Sequence, residues 1–272
     1  MRDATKWLLP LLFITPLHAQ VKTSVDTLHC HIVGFAVGAQ MPLGGKHSGG
    51  MAQGGMKDLY KGPYLDFDVE WAYKFRSNWM LTLDADIWFG YNNDNLQLRA
   101  ERIGDVYNSQ GHALSLEGTD GVVTAYNRSL AVRPGVAKII TLFPNDPNSG
   151  LLLKLSGGWF MQKSIFSQDM NESKVPQLTG DYSHLYDHYR NGFMLTESVG
   201  FAYMSNYRTY INVKITFDFS QCVSWSSRPY TIDNVMGLNG KDGNRYLDLM
   251  FGVKLSWLFP ITGRTSYDYY YY

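Results

Sequence analysis

Polar and apolar residues alternate along most of this chain. From Tyr64 to Phe75, one parity holds Leu65, Phe67, Val69, Trp71, Tyr73 and Phe75, and the other holds Asp66, Asp68, Glu70, Ala72 and Lys74. After a tight Arg76-Ser77-Asn78, Trp79, Leu81, Leu83, Ala85, Ile87, Phe89 and Tyr91 share one face. Met80, Thr82, Asp84, Asp86, Trp88 and Gly90 fall on the other. Successive side chains of a strand point to opposite faces, so a period of two predicts a strand. The two runs therefore predict a hairpin with one greasy face and one charged face.

The pattern recurs. A first strand is expected at about 28–40, where Val33, Phe35, Val37 and Ala39 alternate with Gly34, Ala36, Gly38 and Gln40. Further strands are expected at 128–142, 151–165, 192–204, 209–221 and from about Leu247 to Phe259. Pro134 interrupts the first of these, because it cannot donate to a ladder, and predicts a bulge or edge-like distortion. Glu197 falls on the apolar parity of its strand, which places it at a headgroup boundary or a protein contact. The glycine-rich stretch after Gln40 reads as an exposed loop up to Pro63. It is not a phosphate-binding loop, since His47 follows Lys46 where Ser or Thr is needed.

Connections alternate too: long after strands one, three, five and seven, short after two, four and six. With an even strand count, that alternation predicts an all-β fold, an eight-stranded antiparallel up-and-down transmembrane β-barrel with a polar lumen. Its long loops would be extracellular, and its short turns and both termini periplasmic. Closure is required because open edges would leave backbone groups unpaired in lipid. A soluble barrel would reverse the polarity, greasy inside and polar outside.

Composition agrees. Aromatics are 15%, which suits interfacial girdles. The net charge of zero gives no reason to expect nucleic acid as a partner. Arg2 and Lys6, the apolar WLLPLLFITPL and Leu17-His18-Ala19 before Gln20 read as a signal peptide over 1–19, with an N-terminal anchor as the alternative. Residues 20–27 would be a periplasmic segment, 28–261 the barrel and 262–272 an aromatic tail. Cys30 and Cys222 lie near opposite ends of strands and are read as isolated thiols.

The inward parity collects Asp66, Asp68, Glu70, Asp84, Asp86, Asp218 and Asp248, with Lys74, Arg133, Lys154, Lys214 and Lys254 available to meet them. Isolated charges in a narrow interior are costly, so pairing is expected. The set is either a structural network filling the barrel or a narrow cation-selective path. In the third long loop, His184, Asp187 and His188 sit where one helical turn would bring them together for a metal or a rim enzyme site; a solvated loop explains them as well. No metal and no cofactor is expected. Tyr269, Tyr270, Tyr271 and Tyr272 are either interfacial anchors or a short motif for a partner.

GFAVGAQ (34–40), GFMLTESVGFAYMSN (192–206), RYLDLMFGVKLSWLFPI (245–261) and the aromatic terminus together resemble small OmpA/OmpX-like outer-membrane barrels of the Bacteroidota type. The resemblance is architectural and spans residues 28–261. It implies a Gram-negative outer-membrane location, contact with outer-membrane lipid, and insertion by the barrel-assembly machinery. Such barrels serve as anchors, adhesins, accessory subunits or, rarely, enzymes. No peptidoglycan-binding domain is read after strand eight, so that anchoring role is not expected. The expected function is a non-catalytic structural or accessory subunit that binds another envelope protein through its loops or tail. The alternatives are a narrow cation-preferring channel and an outer-membrane enzyme.

Overall fold

In a computed structural model the described residues are 29–47, 63–92, 115–119, 123–143, 146–168, 175–176, 179, 188–204, 212–226 and 245–261. The alternating runs become eight strands: β1 (Cys30–His47), β2 (Tyr64–Lys74), β3 (Trp79–Asn92), β4 (Val123–Thr141), β5 (Gly150–Gln168), β6 (His188–Tyr203), β7 (Val213–Ser226) and β8 (Arg245–Ile261). Each pairs antiparallel with its sequence neighbours, and β1 pairs with β8 to close the barrel. Pairing can be followed from Ile32 through Ala72, Thr82, Gly135, Ser156, Thr196, Ser220 and Met250. It returns to β1 at Pro42, ten residues further on. That stagger tilts the strands and sets which residues meet across the interior.

The outer wall is apolar. Phe67 is 44% exposed and Phe217 51%, whereas Asp66 and Asp86 are 0% exposed. A water-soluble barrel would present the charges and hide the rings. This polarity therefore belongs to a transmembrane barrel of the outer-membrane type, with lipid against the Leu, Phe and Trp face. Outward aromatics band both ends. Phe75, Trp79, Phe201 and Phe259 lie near the short turns, and Phe89, Tyr126, Phe193 and Trp225 lie toward the long connections.

Several strands run longer than the alternation suggested. β1 continues through the glycine-rich residues to His47, with a register shift between Pro42 and Gly44, so the exposed loop expected after Gln40 begins later. Glycine carries no alternation signal, but its backbone still pairs with β8. β7 starts at Val213 rather than near 209 and includes Cys222, so residues 222–226 are strand and not loop. β6 begins at His188, which brings Arg190 into the barrel. Pro134 produces no bulge. The β4–β5 ladder stops at Val132–Trp159 and resumes at Gly135–Ser156 in the same register, while Pro134 still faces Leu83 on β3.

The short turns are tied together. Asn78 adopts φ 62°, the left-handed region that Asn tolerates better than most residues. Its side-chain amide donates to the Pro147 carbonyl at 2.8 Å and to Thr141 Oγ1 at 3.1 Å. The Ser149 hydroxyl donates to the Met204 carbonyl at 3.2 Å and accepts from the Met204 amide at 2.9 Å. These bonds fold the β4–β5 turn under the barrel mouth.

Candidate functional site

The interior is built in three layers. Nearest the short turns lies an apolar layer that includes Ile32, Met80, Ile139, Leu152, Met204 and Leu258. Toward the long connections lies a second, of Tyr64, Trp88, Ala131, Phe160, Met194, Cys222 and Met250. Charged side chains occupy the waist between them. The charges of the polar lumen thus concentrate at its middle, and apolar side chains on the inward parity form the two flanking layers.

The acids of the waist come mostly from one hairpin. Asp68 on β2 faces Asp86 on β3, and Glu70 faces Asp84. Like charges directly opposed on one face destabilise a sheet. Cations from the far side of the barrel remove that conflict. Lys154 on β5 donates to Glu70 Oε2 at 2.8 Å and to Asp84 Oδ1 at 2.7 Å, and Lys214 on β7 also bonds Glu70. Lys254 on β8 bonds Asp86 and lies 3.1 Å from Asp66, 3.4 Å from Asp68 and 3.6 Å from Asp218. Arg133 on β4 pairs with Asp86 and donates to Thr196 Oγ1 at 2.6 Å.

Lys254 therefore serves four of the six waist carboxylates. Its path depends on Gly38, where an added Cβ would lie 2.4 Å from the Val253 carbonyl oxygen and 2.8 Å from Lys254 Cγ. The waist leaves a cavity of about 10 Å³, on the scale that one water molecule needs. Carboxylate oxygens of Asp68, Glu70 and Asp84 lie within 4.8 Å of one another. Lys154 already bridges two of these groups, so the cluster is built as an ion-pair hub. The described structure thus joins most of the expected charged residues, Asp66, Asp68, Glu70, Asp84, Asp86, Arg133, Lys154, Lys214, Asp218 and Lys254, in one interior group.

Two expected members stand apart. Asp248 lies above the upper apolar layer, 3.9 Å from Arg190, whose guanidinium sits 3.9 Å from the Tyr246 ring centre. Lys74 lies at the short-turn end and donates to Asn148 Oδ1 at 2.9 Å. The single network expected from parity is therefore three groups, because the stagger separates these residues in depth. Arg190, Gln40 and Thr196 join the polar interior unanticipated; Gln40 donates to Asp66 at 2.6 Å. Arg190 shares a parity with Gly192 and Met194, which was the available signal. Asn148 sits in a turn, and nothing local marks it as a plug.

Cys30 and Cys222 are both buried and free, as their separation implied. Among the loop candidates, His184 and Asp187 lie outside the described residues. His188 opens β6, its backbone opposite Ser164. Tyr269 to Tyr272 and the proposed signal peptide also lie outside the described residues.

No protein-family model matches the chain, and no curated protein matches it. Solved barrels resemble it in outline. Ail, the attachment invasion locus protein of Yersinia pestis, solved in complex with the heparin analogue sucrose octasulfate, is 11% identical with a TM-score of 0.41, covering 85% of this chain and all of Ail. Outer membrane protein AlkL is 10% identical with a TM-score of 0.37, covering 91% of this chain and 98% of AlkL. Neisserial surface protein A is 12% identical with a TM-score of 0.29, covering 82% and 94%. At these values the architecture rests on this chain's own strands, and none of the three bears on its role.

Proposed function

We propose that this protein is a non-catalytic barrel of a Gram-negative outer membrane, a structural or accessory subunit that binds another envelope protein through its loops or tail. In this reading its termini and short turns face the periplasm. The filled interior carries the proposal. Among the described residues, two apolar layers flank a paired charged waist that leaves a cavity of about 10 Å³, and Asn148 of the β4–β5 turn bonds Lys74 at the short-turn end. A wall and plug of this kind suit a scaffold better than a conduit, and they leave recognition to the segments outside the barrel.

Two measurements test it together. Planar-bilayer recordings of the purified full chain should show no steady conductance. Mild-detergent extraction from its native membrane should recover a stoichiometric partner, lost when residues 262–272 or a long loop are replaced. Steady cation current would return the interior to the channel reading, and a strictly solitary protein would sink the subunit reading. For the enzyme alternative, replacing His184, Asp187 and His188 should leave outer-membrane lipids and proteins unchanged.

A further inference from the structure

Two cations stand side by side on the outer wall. Arg128 on β4 and Lys163 on β5 are direct cross-strand partners, and both lie on the outward parity of their strands. Partners of this kind have Cβ atoms about 5 Å apart, and like charges so opposed weaken a sheet. In the waist, strands from across the barrel bring the opposite charge to such a pair. On the outer face no strand lies across from it. The neighbours on the wall itself are uncharged: Phe89 on β3 is opposite Arg128, and Tyr189 on β6 is opposite Lys163. Along the two strands the next outward residues are Tyr126, Leu130, Met161 and Ile165.

The depth of the pair is set by β4. Between Lys138 and Arg128 its outward face carries only Val136, Pro134, Val132 and Leu130. Those ten residues, with a strand rise of about 3.3 Å and a tilt near 40°, span about 25 Å in depth. That is the height of the apolar band around an outer-membrane barrel, about 25 Å. Lys138, its ammonium 4.8 Å from the centre of the Trp79 ring, marks the boundary near the short turns. Arg128 and Lys163 therefore stand at the other boundary, among the aromatics Phe89 and Tyr126. Glu197, the outward acid of β6, is eight residues from Tyr189 and so about 20 Å deeper, in the apolar belt, which removes the headgroup boundary expected for it.

Lipid headgroups fill that depth, and their phosphates carry the charge the pair lacks. A guanidinium is always charged, and its planar fork matches two phosphate oxygens. The ammonium beside it adds a second cation, and the phenol of Tyr126 on the same face can donate as well. The pair faces the edge of the bilayer, which favours a lipid over an acidic segment of a water-borne protein. We propose that Arg128 and Lys163 together hold a phosphate group of a phosphorylated glycolipid in the leaflet beside the long connections. The choice of glycolipid rests on the orientation proposed above, which makes that leaflet the outer one of a Gram-negative outer membrane. The site itself is a property of the β4–β5 wall and does not depend on a protein partner.

Native mass spectrometry of the full chain in a neutral detergent, titrated with diphosphoryl lipid A, tests the proposal, with heat-shifted gel migration reporting that each variant is a folded barrel. The unaltered protein should retain the lipid, and lipid A stripped of its phosphates should not be retained. Arg128→Gln and Lys163→Gln should each raise the dissociation constant about tenfold, the scale of one charge-assisted hydrogen bond. Lys138→Gln, a lone outward cation at the opposite boundary, should leave retention unchanged. Equal retention by the Arg128→Gln, Lys163→Gln double variant overturns the proposal, as does a loss of the same size from Lys138→Gln. Retention of phosphatidylglycerol as tight as that of lipid A overturns the choice of glycolipid. Binding in detergent is blind to which way the barrel faces, so labelling of the long connections from outside intact cells tests the orientation separately.

Discussion

Asp68 and Asp86 stand directly opposite one another on β2 and β3, and both turn into the barrel. Lys254 reaches both from β8, 186 residues from Asp68 in sequence. Arg133, Lys154 and Lys214 meet Asp86, Asp84 and Glu70 from β4, β5 and β7, but Asp66 and Asp68 pair with a cation only when the last strand arrives, so closure of the barrel completes the neutralisation of its waist.

Removing that lysine should be severe. Lys254→Met leaves Asp66, Asp68 and Asp218 without the cation nearest them, and breaking a buried pair costs about 3–5 kcal/mol. Urea unfolding of the refolded barrel, followed by heat-shifted migration, should show a much lower midpoint. Adding Asp68→Asn and Asp86→Asn to the same chain should recover part of the loss, because these sites are coupled. An unchanged midpoint for Lys254→Met would remove the hub role.

Gly38 should tolerate nothing larger. Gly38→Val places atoms where the Val253 carbonyl and the Lys254 side chain already lie. The expected outcome is failure to reach the compact, heat-shifted form. Gly157→Val, an outward change with ordinary contacts, should fold normally in the same assay.

Trp88 separates packing from hydrogen bonding. It is fully buried between Tyr64 and Phe160, with ring centres 6.5 Å and 5.6 Å away, and its indole nitrogen has no partner in the described structure. Trp88→Phe loses volume but no hydrogen bond, whereas Trp88→Ala should cost about 3–5 kcal/mol by opening a cavity in the upper layer. Chemical unfolding should rank alanine well below phenylalanine. Equal losses would mean that the indole nitrogen matters more than the packing.

Asn78 combines two roles that substitutions can divide. Asn78→Gly keeps access to the left-handed backbone and loses only the bonds to Thr141 and Pro147; Asn78→Ala loses both. Alanine should therefore be the more destabilising, by about 1 kcal/mol over glycine. If the two unfold together, the turn is held by its side-chain bonds alone.

The alternation of Leu65 to Tyr73 against Asp66 to Lys74 was enough to set strand, face and hairpin, because a period of two is a local property of an extended backbone. Eight such runs joined by alternating long and short links then required closure in lipid, since every edge must pair. The ends of the strands were not legible. Gly44 to His47 pair with β8 although glycine leaves no alternation to read, and Arg190 enters the barrel where local sequence resembles loop. Which cation meets which acid was also hidden. Lys254 finds Asp68, Asp86, Asp66 and Asp218, and Lys74 finds Asn148, only because the ten-residue stagger fixes their depths. The same stagger gathers Trp88, Phe160, Met194 and Met250 into one layer and holds the β2–β3 acids in another. Parity along a strand records only which way a side chain points. Depth, and with it every cross-barrel contact, is decided when the sheet closes.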